Sequence, residues 1–123
     1  MGKFGFSRLG PSGRGLLGIS RVRVAGESMS PTYLDGAILL VSWMGGAEKE
    51  LPIGTVVVIE REAMPGILFI KRIQKSHSGA YWVEGDNRDP EVETRINDSR
   101  SWGYIPAHEV VGRVLFKVGS KRN

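Results

Sequence analysis

Thr55-Val56-Val57-Val58-Ile59 is β-branched at every position and is bounded by Gly54 on one side and the charged Glu60 on the other. Such side chains are stiff at χ1 and favour the pleated backbone of a strand. A second run, Ile67-Leu68-Phe69-Ile70-Lys71-Arg72-Ile73, follows a gap closed by Pro65-Gly66. Both runs are short and largely apolar, and both begin just after turn formers, as strands do. Outward from this pair the pattern repeats. Arg21-Val22-Arg23-Val24 alternates cleanly; Ala37 to Val41, Tyr81-Trp82-Val83 and Val110 to Val118 are further runs. Turn signals separate them: Asp35-Gly36, Gly45-Gly46, Pro52 with Gly54, Ser78-Gly79 and Gly85-Asp86-Asn87. Several short strands at this spacing, with hardly a helical period, predict an all-β (mainly β) fold, a compact barrel or sandwich with short helical turns at most.

The chain has 123 residues, room for one such domain. Residues 1–18 are rich in Gly, Ser and Arg and read as a flexible basic N-terminal arm. Residues 19–118 hold the domain, and 119–123 form a basic tail. All thirteen acids lie between residues 25 and 112, so the central part is net acidic and the positive charge belongs to the ends. That distribution argues against a nucleic-acid groove on the domain. It leaves the arm as a possible peripheral contact with an anionic membrane surface. The absence of cysteine excludes disulfides, thiolate metal sites and a cysteine nucleophile. No apolar run approaches the roughly 20 residues of a spanning helix, and no signal-peptide pattern opens the chain, so a cytoplasmic location is expected.

Three groupings carry chemistry. The first is Gly26-Glu27-Ser28-Met29-Ser30-Pro31-Thr32, a turn after an alternating strand. A serine at a strand end can be presented to a substrate by a rigid scaffold, although serines in such turns more often bond the local backbone. The second is Lys71. Alternation puts Ile67, Phe69, Lys71 and Ile73 on one face, so the amine sits among apolar neighbours. Desolvation there lowers its pKa, and Arg72 would add to the shift if it stays close. A downward shift of about three units would make it a usable base and cost roughly 4 kcal/mol of stability. The plainer alternative is a lysine that snorkels from a strand edge. The third is Gly85-Asp86-Asn87-Arg88 with Asp98-Ser99-Arg100-Ser101-Trp102-Gly103, where an aspartate and an arginine two positions on can form an internal ion pair. His77 and His108 are the two histidines, and spacing does not exclude either as a partner for Ser28.

Taken together these segments resemble the signal peptidase I family of Ser/Lys-dyad serine proteases. Val24 to Thr32 resembles the family's serine box, Gly54 to Val58 the strand before the lysine, and Lys71-Arg72-Ile73 the lysine box. Gly85 to Arg88 with Asp98 to Gly103 and Val111-Gly112-Arg113 resembles the C-terminal box. The resemblance implies the signal-peptidase catalytic fold, with Ser28 as nucleophile and Lys71 as general base. It implies an oxyanion and substrate site around the Ser28 backbone, Gly26, Met29 and Phe69. Asp86, Asn87, Asp98, Ser99 and Arg100 would support that site. The substrate would be a precursor protein bound as an extended peptide along a strand edge. No metal and no cofactor are implied.

No stretch before Ser28 reads as the family's membrane anchor, Gly26 stands where many members carry a hydroxyl residue, and Ile96 stands where members often carry a serine that orients the lysine, with Thr94 or a backbone carbonyl as the expected substitute. Among the branches the chain looks most like the soluble proteases that mature nickel-type superoxide dismutase by removing a propeptide. Three alternatives stay open: a leader peptidase acting at the membrane, a LexA-type self-cleaving domain, and an inactive β domain that binds peptides.

Overall fold

The computed structural model describes residues 18–44, 50–91 and 97–121. Residues 1–17 of the expected arm, the Gly45-Gly46 turn, Thr94, Ile96 and Arg122 lie outside the described residues.

The strands are β1 (Ile19–Arg23), β2 (Ala37–Trp43), β3 (Val56–Ile59), β4 (Phe69–His77), β5 (Ala80–Glu84), β6 (Ile105–Pro106) and β7 (Val110–Ser120). One helical turn, α1 (Ser99–Trp102), and a three-residue 3₁₀ turn (Ala107–Glu109) precede β6 and β7 respectively. The strands form one antiparallel sheet in the order β1-β2-β7-β3-β4-β5-β6. The mainly β expectation therefore holds. Closure into a barrel is not seen: among the described residues the ladder ends at β1 and β6, with no pairing between them.

The run Val56–Ile59 is buried throughout because both faces of β3 are covered. Val56 and Val58 join one core with Val22, Leu39, Val41, Trp43 and Ile70. Val57 and Ile59 join another with Phe69, Ile73, Tyr81, Val83 and Ile105. Strands β1 and β2 thus pack over one side of β3–β4 and β5–β6 over the other, while β7 serves both, Val114 on the first core and Val110 in the second. A strand shared by two cores reads as continuous apolar sequence, whereas β2, with one face in a core, alternates. Register shifts in the β2–β7 and β3–β7 ladders mark bulges, which bend and twist the sheet.

Strand β4 begins at Phe69 and runs on to His77, later than the apolar run and longer than it. Its second half alternates in burial, because Lys75 and His77 face solvent. Two elements fall outside the sequence expectations in detail. Strand β6 is only two residues long and pairs Tyr81 with Ile105. The turn α1 is capped by the Asp98 carboxylate, which accepts the Arg100 N–H at 3.0 Å, and it stops at Gly103, where φ is +78°.

Candidate active site

Lys71 lies in the middle of the sheet and is 5% exposed. Its partner across β3 is Val57, which is fully buried. Among the described residues no hydrogen bond or ion pair holds its ammonium. Burial is the largest influence on it and brings its pKa down from 10.5 to about 8; Asp98 opposes that shift and Arg100 adds to it. The direction is the one expected from the strand pattern. The nearby cation is a different one. Alternation turns Arg72 to the other face, where Nε and Nη2 bond the two Asp86 oxygens at 2.9 and 2.7 Å and Nη1 donates to the Gly54 carbonyl. Arg100, which is remote in sequence, supplies the charge instead.

The Ser28 turn is placed against β5 by an absent side chain. The β4–β5 rungs pair Ile73 with Val83 and Arg72 with Glu84. Continued by one rung, the register sets Lys71 opposite Gly85, and residues facing each other across an antiparallel pair point to one side. A Cβ on Gly85 would stand 2.6 Å from the Ser28 carbonyl oxygen and 3.4 Å from the Ser28 Cβ. The Ser28 turn and Lys71 therefore share one side of β4–β5. Gly85 is a glycine because the Ser28 backbone occupies the place of its side chain.

Hydrogen bonds fasten the turn. The Asn87 N–H donates to the Ser28 carbonyl at 2.9 Å, and the Asn87 side-chain amide donates to the Glu27 carbonyl at 2.8 Å. The Thr32 hydroxyl donates to Asp86 at 2.7 Å, which links the turn to Arg72. The Gly26 N–H donates to Asp35 at 2.8 Å, and Gly26 itself sits at φ +94°. The Ser30–Pro31 peptide is cis. Met29 buries its side chain in the first core and so anchors the turn from below. Phe69 is buried in the second core, on the Lys71 side of β4.

The C-terminal grouping divides its work between two places. Asp86 takes Arg72, as above, while Arg88 reaches Glu84 at 2.8 Å, so the guanidinium gripping Asp86 comes from the neighbouring strand. Asp98 and Arg100 form the expected ion pair at 2.7 Å. Asp98 Oδ2 also accepts the Gly85 N–H at 3.0 Å, and Ser99 Oγ accepts the Val83 N–H at 2.8 Å. Beyond its two rungs with β6, the outer edge of β5 is thereby capped by side chains instead of a strand. Burial would raise the Asp98 carboxyl; the Arg100 guanidinium and the N–H groups of Gly85 and Arg100 outweigh it and hold the pKa below the usual range. The carboxylate is fully buried and fully partnered, which is the condition for a stable buried charge.

Neither histidine joins these residues. His77 ends β4, six residues beyond Lys71, and its ring lies 6.3 Å from that of Tyr104. His108 pairs with Glu62 at 2.7 Å on the surface. Among the described residues, Glu62, His108 and Glu109 bring possible metal-ligand atoms within 4.8 Å of one another. Both Glu109 oxygens are already taken, Oε1 by Arg61 Nε and Oε2 by the Glu62 N–H. The Arg61 guanidinium supplies the positive charge there.

The mainly β scaffold is a protease-like fold by its family. The chain belongs to the Peptidase S24-like family, whose model matches residues 19–115. This supports the broader resemblance, to signal-peptidase-like and LexA-like domains, and gives no specific match to the proteases that mature nickel-type superoxide dismutase. No curated protein matches the chain in sequence. Among the described residues no helix is long and apolar enough to cross a membrane.

Proposed function

We propose that the chain is a serine endopeptidase with a Ser/Lys dyad, Ser28 the nucleophile and Lys71 the general base, that removes an N-terminal propeptide or leader from a precursor protein. One observation carries the reading: a buried lysine with its pKa lowered to about 8 lies on the same side of β4–β5 as the Ser28 turn. At pH 7 about 9% of such lysines are neutral, against roughly 0.03% at the ordinary value, a gain of some 300-fold in usable base.

The neutral Lys71 amine takes the Ser28 hydroxyl proton as Oγ attacks the scissile carbonyl. The Ser28 N–H supports the oxyanion of the tetrahedral intermediate. The Lys71 ammonium then gives its proton to the leaving amine as the C–N bond breaks, leaving an ester on Ser28. Water, deprotonated by Lys71, attacks that ester; the proton returns to Ser28 and the acyl group leaves as a carboxylic acid. Asp98 and Arg100 set the field at the lysine, and Asn87 with Gly85 sets the height of the serine. The substrate lies extended along a strand edge near Ser28.

For the precursor we propose nickel-type superoxide dismutase, on the likeness of the sequence boxes and the chain as a whole to that branch. The setting we propose is the cytoplasm, with basic residues 1–18 as a contact for an anionic membrane surface.

One mass-spectrometric assay tests this. Pure protein and its Ser28→Ala form each meet a nickel superoxide dismutase propeptide junction and an exported-protein signal-peptide junction. Ser28-dependent cutting of the first alone is the expected result. Cutting of the second moves the reading to a leader peptidase. Retained cutting by Ser28→Ala sinks the dyad.

A further inference from the structure

Trp102 ends α1 and meets two side chains. Its ring stands edge-on to Phe69, with centroids 5.2 Å apart and planes at 69°. The Arg61 guanidinium covers it, 4.7 Å from its centroid. Arg61 is fixed in turn, because its Nε donates to Glu109 Oε1 at 2.6 Å. Glu109 is buried, its Oε2 accepts the Glu62 N–H, and its carbonyl accepts the Glu60 N–H at 2.9 Å. Burying a carboxylate is unfavourable unless it is paired and hydrogen-bonded. Both conditions are met here, and they hold a guanidinium over an indole, which a cation–π contact favours.

The other end of α1 is held by Asp98 and Ser99 on the N–H groups of Gly85 and Val83. The turn is thus fastened at both ends. It carries both charged groups that act on Lys71, Asp98 and Arg100. Of the strands beside Lys71, β3 presents Val57 and the continuation of β5 presents Gly85, both uncharged, and the Ser28 turn carries Glu27. Phe69 is the neighbour of Lys71 on its own side of β4, two residues before it.

We propose that Trp102 is a positioning residue for Lys71: held under Arg61 at the end of α1, it keeps the Phe69 ring packed beside the lysine. Removing the indole loosens the Phe69 wall and admits water, so Lys71 holds its proton more tightly. The consequence for catalysis rests on Lys71 being the general base; the effect on its proton does not.

The experiment is an NMR titration of full-length protein labelled with ¹³C at lysine Cε, with the Lys71 signal assigned by its loss in Lys71→Met. In the parent protein Lys71 titrates near 8. Trp102→Leu raises that midpoint by about one unit or more, a tenfold change in proton affinity. Trp102→Phe, which keeps an aromatic edge for Phe69, restores most of the shift. Arg61→Met, which removes the cation over Trp102 and leaves the Asp98 and Ser99 bonds of α1 in place, moves the midpoint the same way and serves if Trp102→Leu does not fold. Cleavage by the Trp102→Leu form falls about tenfold at pH 7 and recovers at pH 10. An unchanged midpoint in a folded Trp102→Leu or Arg61→Met protein overturns the proposal. A shifted midpoint in a protein that cuts no peptide upholds it and counts against the protease reading alone.

Discussion

Replacing Lys71 by methionine removes an ammonium from a place that disfavours it and keeps an unbranched chain of similar length in the second core. The gain follows from the pKa. The folded protein holds the Lys71 proton less tightly than the unfolded chain does, about 8 against 10.5. Between those values the unfolded chain binds more protons, so the stability of the parent protein climbs with pH through that window. Below about pH 8 the whole penalty is present, roughly 3 kcal/mol from a shift of that size. At pH 9.5 a little under half of it is left. Lys71→Met lacks the group and escapes the penalty at every pH. Asp98 stays satisfied in the variant, since Arg100 and the Gly85 N–H hold it. Urea unfolding of both proteins at pH 7 and pH 9.5 measures the gap. Lys71→Met is the more stable by about 3 kcal/mol at the lower pH, and the gap shrinks by about half at the higher. Other groups titrate alike in both proteins and cancel from the difference. A gap that does not change with pH, or a variant less stable than its parent at pH 7, refutes the reading of Lys71 as a strained, desolvated amine.

Two further outcomes are expected. Cleavage rises with pH through about 8 as Lys71 loses its proton, and Lys71→Arg stays inactive over the whole range, because a guanidinium is not deprotonated there; a rate that is flat from pH 5 to 9 counts against Lys71 as base. Gly85→Ala puts a methyl 2.6 Å from the Ser28 carbonyl oxygen, so the turn must move: overpacking of this kind costs about 1–3 kcal/mol, and the loss of activity exceeds what the remaining folded fraction explains. Unchanged activity in Gly85→Ala shows that the height of Ser28 over the sheet does not matter.

Much of this was legible in the chain. Thr55 to Ile59 had to be a strand, because five successive β-branched residues between a glycine and a charged residue have no better use. That the strand is buried on both faces came from the structure. Lys71 was singled out by the period-two rule: a lysine in phase with Phe69 and Ile73 lies on a core face. The signal-peptidase boxes pointed to Ser28 by likeness, and the family match over residues 19–115 agrees at the level of the fold.

What the sequence did not settle were partnerships between distant segments. Arg72 adjoins Lys71 in the chain yet turns away from it, because neighbours in a strand point to opposite faces. Arg100, twenty-nine positions on, comes near because α1 caps the edge of β5. Asp86 seemed paired to Arg88 by spacing, but Arg72 on the next strand offers it both donors of a planar fork. Gly85 read as a turn residue, and only packing shows that the Ser28 carbonyl needs its missing side chain. The contacts of Trp102 with Arg61 and Phe69 join three segments that no local pattern connects. Period and propensity act over a few residues and so determine which stretches are strands and which side chains face inward. Charge pairing, desolvation and close approach depend on distances set by sheet order and twist, and these exist only once the chain has folded.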